Sequence, residues 1–303
     1  MRVLIDTDIG TDVDDALALG MIVGSPELEL VGITTVYGDT RLRAQIARRL
    51  LRINHYDLSL PIAAGMQQTR SGKDVCWSGH EGNLFHNLDI ETVADDGVDL
   101  LLRMVAANPG EVDILAIGPL TNIAAALDAD LDFESNVRRL VVMGGDFRAE
   151  GRIAEHNFES DVAAAQRVFS SRLDIVIGSL DLTLKIRLES LEIDQIAKSG
   201  PLGAVLADEV RVWWRFNEAR GDTRFNSPHD PVPALWMAKP DLFTAAPAHV
   251  HIDNYGFSRA QIHRDGPVRI LGVRDPHLIK TEIVRRILNA SAGVETQRKA
   301  GRQ

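Results

Sequence analysis

Residues 2–23 read RVLIDTDIGTDVDDALALGMIV, and the order of apolar and acidic residues in this stretch decides the fold. RVLI is a short apolar run, the pattern of a strand buried on both faces. In DDALALGMIVGS (14–25) apolar residues recur at three- and four-residue steps, the period of a helix with one apolar face. Between the two stand Asp6, Asp8, Asp12, Asp14 and Asp15, five carboxylates within ten residues. Like charges this close repel one another and lower stability.

The unit of strand, polar turn and helix recurs along the chain. LELVGITTV (28–36), EVDILAIG (111–118), VRRLVVMGG (137–145) and LDIVIGS (173–179) read as further buried strands. RAQIARRLLRI (43–53), TNIAAALDA (121–129) and DVAAAQRVFSS (161–171) read as helices. This alternation predicts an α/β fold, a mostly parallel sheet flanked by helices. Ligands of such open sheets sit beyond the carboxyl ends of the strands. The apolar runs are followed there by polar text, namely DTDIG, YGDT, GPLTN, GGDF and SLDLT.

Beyond about residue 200 the pattern changes. PLGAVLADEVRVWWRFNEARG (201–221) is an amphipathic helix ended by Gly221. In FNSPHDPVPALWMA (225–238), Pro228 and Pro231 bracket His229 and Asp230 in a turn that leads into a helix. AHVHIDN (248–254), SRAQIHRD (258–265) and PVRILGV (267–273) read as short, partly antiparallel strands, and a helix over 277–290 closes the fold. With no internal repeat and no linker, one domain over 1–293 and a frayed tail over 294–303 are expected.

The 303 residues are 45% apolar and 25% charged, the balance of an ordinary globular protein. A net charge of −10 and a pI near 5.4 argue against a nucleic-acid partner, which calls for basic faces, and favour a neutral or cation-assisted small substrate. A lone Cys76 excludes an intramolecular disulfide framework and a Cys-rich zinc site, and it points to a reducing compartment. No apolar stretch reaches the roughly eighteen residues of a membrane span, and the first strand leaves no room for a signal peptide. A cytoplasmic protein that binds no membrane is the expectation.

Three readings compete for the acidic stretch. An EF-hand loop fails because Thr11 stands where its sharp turn needs Gly and Leu17 where a bidentate Glu is required. A haloacid dehalogenase type phosphatase also begins with Asp-x-Asp, but it calls for a phosphate-binding Lys and a small Ser/Thr strand-end motif that form no convincing pair here. A solvated turn capping the helix near Val13 needs one or two acids and leaves three unexplained. A hard divalent cation accounts for all of them, because its charge turns carboxylate repulsion into attraction. GPLTN and SPHDP can bring further oxygens from neighbouring strand ends.

With those pieces in view, the chain resembles the inosine–uridine type of nucleoside hydrolase over essentially its whole length. The motifs fall in family order: DTDIG and DDALAL within 6–19, GITTVYGD at 32–39, GHEGN at 79–83, GPLTNIAAAL at 118–127, LVVMGG at 140–145, EHNFESDVAAA at 155–165, LDLT at 180–183 and HDP at 229–231. The resemblance implies an open α/β fold and a hydrolase that splits the N-glycosidic bond of ribonucleosides into free base and ribose, in nucleoside catabolism and salvage. It implies calcium (Ca2+) held by Asp8, Asp15, the backbone carbonyl of Thr121 and Asp230, with Asp12 as second choice. By the same likeness Asp8 is the base that activates water, Asp14 binds a ribose hydroxyl, and Glu155 and Asn157 grip the rest of the sugar. Asp39, Met143 and His80, the last on a loop over the base, complete the substrate contacts. His229 is the candidate acid for the leaving base. A homo-oligomer, dimer or tetramer, is implied too. Cleavage passes through an oxocarbenium-like sugar, so buried negative charge beside the ring suits the chemistry on its own terms.

Three departures from the family form bear on specificity. Ile9 stands for Pro, and two residues, including Asp12, are inserted before Asp14; Asp39 stands for a common Asn; and Arg152 lies where an Asn commonly approaches the ribose. Trp213, Trp214 and Phe225 could stack on a purine, although paired tryptophans on an amphipathic helix more often pack a core. Met143, Gly144 and Gly145 suit close backbone approach at a strand end. Two other readings stand beside ribonucleoside hydrolysis: a hydrolase of another N-riboside such as nicotinamide riboside, and a non-catalytic calcium-dependent ribose-binding protein.

Overall fold

The computed structural model describes residues 1–219, 221 and 225–300, the last ten of these by backbone alone. Ten strands form one sheet: β1 (Arg2–Thr7), β2 (Glu29–Thr35), β3 (Ile62–Ala64), β4 (Ala94–Asp95), β5 (Val112–Ala116), β6 (Arg139–Met143), β7 (Ile175–Gly178), β8 (Phe243–Ile252), β9 (Ser258–Ile262) and β10 (Val268–Val273). Their order is β4-β3-β2-β1-β5-β6-β7-β10-β8-β9. All neighbours from β4 to β10 are parallel, while β10–β8 and β8–β9 are antiparallel. The mostly parallel α/β sheet read from the sequence is the one observed.

Residue alternation along β1 builds both faces. Val3 and Ile5 enter one apolar core with the helices Asp14–Val23, Thr40–Ile53, Pro201–Glu218, Pro231–Ala238 and Pro276–Ala300. Leu4 enters the other, with the helices Gly97–Ala107, Thr121–Ala129 and Val162–Phe169. With side chains buried on both faces, the strand needs apolar residues at every position.

The order reverses beside β1: the chain builds outward through β2, β3 and β4, then returns to lay β5, β6 and β7 on the other side. Such a switch point opens a crevice at the carboxyl ends of the two strands it separates. Asp6 of β1 pairs with Thr34 of β2 and Ala116 of β5, so the turns that follow, DIG after β1 and GPLTN after β5, rise side by side. Gly118 lets them approach. A Cβ there would meet Asp8 Oδ1 at 2.9 Å and the Asp8 backbone nitrogen at 3.0 Å.

Two differences from the sequence expectation concern ends. The last helix runs from Pro276 to Ala300, ten residues past the predicted end and across most of the segment expected to be a tail; residues 301–303 lie outside the described residues. A single Gly293 costs about 1 kcal/mol against Ala and does not stop a helix that continues into VETQRKA. β8 begins at Phe243, five residues before the predicted run, since its pairing with β10 extends to Phe243–Val273. Among the described residues no helix is long and apolar enough to cross a membrane.

Candidate active site

A cavity of about 320 Å³ opens over the switch point. Asp8 and Asp12 reach it from the loop after β1, Asp14 and Asp15 from the first turn of the helix Asp14–Val23, and Asp230 and His229 from the turn before the helix Pro231–Ala238. Met143 at the end of β6, Glu155 and Asn157 line it too.

Ligand atoms of Asp14, Asp15 and Asp230 lie within 4.8 Å of one another, and among the described residues no other acidic, His or Cys group gathers this way. Helix geometry explains the trio. Asp14 and Asp15 open one helix and Asp230 stands just before the first residue of another without a side-chain capping bond, so both helix N-termini direct carboxylates at one point. The Thr7 hydroxyl donates to Asp15. Burial, then mutual repulsion, holds Asp14, Asp15 and Asp230 well above the ordinary carboxylate range. Burial pushes Asp12 up to about 7, and also Asp6, whose Oδ1 takes hydrogen bonds from Thr34 (2.6 Å) and Asn122 (2.7 Å). An all-oxygen donor set with this excess of negative charge suits a hard divalent cation.

The sign of the pH dependence follows. Carboxyls whose folded-state values are raised stabilise the fold fully below their unfolded value of about 3.8, and that stability is lost as pH rises through the folded values. Metal-free protein is therefore expected to melt at lower temperature as pH rises from about 5 to about 8, and a divalent cation to raise the melting temperature more at the higher pH. Scanning calorimetry with and without chelator checks this. His229 acts in the opposite sense: burial lowers it from 6.5 to about 4, so its contribution is lost as pH falls.

Several residues fall otherwise than the sequence suggested. Asp14, expected on a ribose hydroxyl, converges with Asp15 and Asp230, while Asp8 and Asp12 line the same cavity. Thr121 does not line the cavity with its side chain. Its hydroxyl donates to Asp161 at 2.7 Å, which leaves the backbone carbonyl as what it could offer. Asp39 lies outside the cavity altogether: exposed, it caps the helix Thr40–Ile53 by accepting from the Leu42 N–H at 2.9 Å. An Asp at the first position before a helix finds that donor without any ligand. His80 is also absent from the lining, its Nε2 being donated to the Thr11 carbonyl at 2.9 Å.

Glu155 caps the short helix His156–Ser160. Its carboxylate accepts from the backbone N–H groups of Asn157 (2.9 Å), Gly145 (3.0 Å) and Phe158 (3.3 Å), while burial still holds it above the ordinary value. Asn157 donates to the carbonyls of Ile117 (3.1 Å) and Met143 (3.2 Å). Both side chains are thus fixed before any ligand arrives. His229 lines the cavity with Nδ1 at 2.6 Å from the Thr183 hydroxyl, so Nε2 is the nitrogen left to meet a ligand.

Trp213 lines the cavity with Phe216, the rings stacked at 5.4 Å, whereas Trp214 is core. A second cavity of about 370 Å³ adjoins the first and shares Asp12, Trp213 and His229; Phe225 lies in its wall. There Asn226 Oδ1 and Ser227 Oγ are buried without a hydrogen-bond partner among the described residues.

Sequence reasoning missed Phe216, Thr183, His156 and, above all, Arg43. Fully buried in the helix Thr40–Ile53, Arg43 donates to the carbonyls of Tyr37 (2.7 Å), Asp8 and Ile9 (2.9 Å) under the acidic loop. A signal existed, because Arg43 falls on the apolar stripe of Ile46, Ala47 and Leu50, where a cation needs partners.

The sequence pattern described as "Inosine-uridine preferring nucleoside hydrolase" matches residues 3–281. A protein named Uridine nucleosidase 1 from Arabidopsis thaliana is 30% identical over 267 residues, 84% of this chain and 79% of that protein. The Non-specific ribonucleoside hydrolase RihC of Salmonella agona is 30% identical over 265 residues, 84% of each chain. In fold, the plant nucleoside hydrolase PpNRh1 superposes with a TM-score of 0.83 at 24% identity, over 95% of this chain and 98% of that one. A purine-preferring ribonucleoside hydrolase from Gardnerella vaginalis gives 0.81 at 22% identity, over 96% and 99%. With the family pattern matched across nearly the whole sequence and the acidic crevice standing at the sheet's switch point, this chain belongs to the inosine-uridine preferring nucleoside hydrolase family, enzymes that hydrolyse the N-glycosidic bond of ribonucleosides.

Proposed function

We propose that the chain is a calcium-dependent ribonucleoside N-ribohydrolase in which Asp8 takes the proton of the attacking water and His229 serves the leaving base. The observation that carries this reading is the gathering of Asp14, Asp15 and Asp230 within 4.8 Å in a cavity that Asp8, Glu155 and Asn157 also line. Asp14, Asp15 and Asp230, with the Thr121 carbonyl, would hold the ion. A calcium ion held by them would supply the positive charge that screens these carboxylates and would lower the pKa of the attacking water.

The chain's own groups do the rest. Asp8, buried in the wall, accepts the water's proton. Glu155 and Asn157 hold sugar hydroxyls, and the surrounding carboxylates favour the cationic sugar as the bond breaks. The stacked Trp213 and Phe216 offer the base a flat apolar face. At neutral pH the buried His229 carries a single proton. In the tautomer in which the Thr183 hydroxyl donates to Nδ1 across their 2.6 Å contact, that proton sits on Nε2, the nitrogen turned to the leaving base.

His229→Ala tests the leaving-group role. A natural base departs poorly as an anion, so help at its nitrogen is worth about 10²–10⁴-fold, whereas a nitrophenolate leaves unaided. The substitution is expected to slow inosine or uridine by about that factor and a nitrophenyl riboside by less than about tenfold. Equal slowing of both would reduce His229 to a support of the Asp230 turn.

A further inference from the structure

Thr11 lines the cavity and makes three hydrogen bonds that no step above uses. Its hydroxyl donates to Glu81 Oε1 at 3.0 Å and accepts from Arg43 Nη2 at 3.1 Å. Its carbonyl accepts from His80 Nε2 at 2.9 Å. Glu81, only 6% exposed, also accepts the backbone N–H groups of Ser78 (2.8 Å) and Gly79 (2.7 Å). The His80 ring in turn lies 4.9 Å from Phe216 and 6.0 Å from Trp213. One threonine therefore joins the acidic loop, the buried Arg43 beneath it, the turn at 78–82 and the aromatic wall.

The other hydrogen bonds of the turn are local to it: Asn83 N–H to the His80 carbonyl at 3.0 Å, Phe85 N–H to the Gly82 carbonyl at 2.9 Å and the Asn83 side-chain amide to the Gly79 carbonyl at 3.3 Å. Gly79 and Gly82 take left-handed φ of 84° and 74°, and no regular secondary structure runs through it. A segment without a hydrogen-bonded ladder draws its order from side-chain anchors. Glu81 supplies such an anchor: burial pushes its carboxyl up, and the donors from Ser78, Thr11 and Gly79 outweigh that, leaving it below the ordinary value.

We propose that Thr11 and Glu81 form a latch that holds the 78–82 turn to the acidic loop and, through His80, fixes the Trp213–Phe216 wall, so that the latch sets how tightly the enzyme grips the base and not the sugar. Both are positioning residues. The base-gripping half rests on the proposed function; the latch itself belongs to the free protein and is testable without substrate.

Thr11→Val keeps the branched shape and removes the hydroxyl, Thr11→Ser keeps the hydroxyl, and Glu81→Gln removes an acceptor. Hydrogen exchange of the Ser78 and Gly79 amides is measured on the ligand-free proteins, with KM and kcat for inosine and inhibition by ribose measured alongside. Thr11→Val and Glu81→Gln are expected to speed exchange at those amides about tenfold or more and to raise the nucleoside KM about tenfold. The fall in kcat is expected to be smaller than the rise in KM, the ribose inhibition constant to stay within about twofold, and Thr11→Ser to recover both readouts. Unchanged exchange in Thr11→Val overturns the latch. Ribose and nucleoside affinities falling together, with a lowered melting temperature, overturn the base-specific role and leave a packing defect. If the wild-type chain cleaves no nucleoside, the proposed function fails, while the exchange rates still decide the latch.

Discussion

Asp230→Ala is expected to cost on the order of 10³-fold or more in turnover and to lower bound metal, because it removes one of three carboxylates that converge within 4.8 Å. The same substitution carries a second, less obvious expectation. In metal-free protein at about pH 8 the cluster faces itself unscreened, so the variant is expected to melt at higher temperature than metal-free wild type. With calcium present the order reverses, since the wild type alone binds the ion fully. Metal analysis and melting curves with and without chelator separate this from simple unfolding, which would lower both melting temperatures.

Asp8→Asn is expected to lower kcat by about 10²–10⁴-fold, the worth of a positioned base, with little change in KM. An amide keeps the size and polarity of the side chain but cannot take a proton at neutral pH. Metal content is expected to persist, because Asp14, Asp15 and Asp230 remain. Metal loss equal to that of Asp230→Ala would move Asp8 from the proton step into the ligand set and leave the base to be found among Asp12 and Asp14.

The strands that build the crevice were legible because burial on both faces writes continuous Val, Ile and Leu runs, as in RVLI and LVVM. β3 and β4, three and two residues long, are too short to show any period and went unseen. The acidic cluster was legible as a problem of charge, and the turn with Asp230 as its distant complement. Sequence spacing alone did not say which carboxylates meet. That depends on the helix beginning at Asp14, which turns Asp14 together with Asp15 toward Asp230 while Asp8 stays on the strand-end loop. Asp39 misled for a similar reason, since an acid before a helix serves as cap or ligand with the same letter, and its bond to the Leu42 N–H makes it a cap. Phe216 and Arg43 lie on helices whose patterns announce an inward face, but which side chain lines the cavity, as Phe216 does, and which is buried beneath the acidic loop, as Arg43 is, is fixed only by tertiary packing.

The central claim, that calcium held by these carboxylates enables hydrolysis of ribonucleosides, is tested most directly by base release. Purified protein is stripped with chelator, and free base and ribose are followed from inosine, adenosine, uridine and cytidine as calcium is restored. Release of base and ribose in equal amounts from at least one of them, lost on stripping and regained in proportion to bound calcium, is the predicted result. Undiminished release in fully stripped protein, or none from any of the four with calcium bound, would contradict the account.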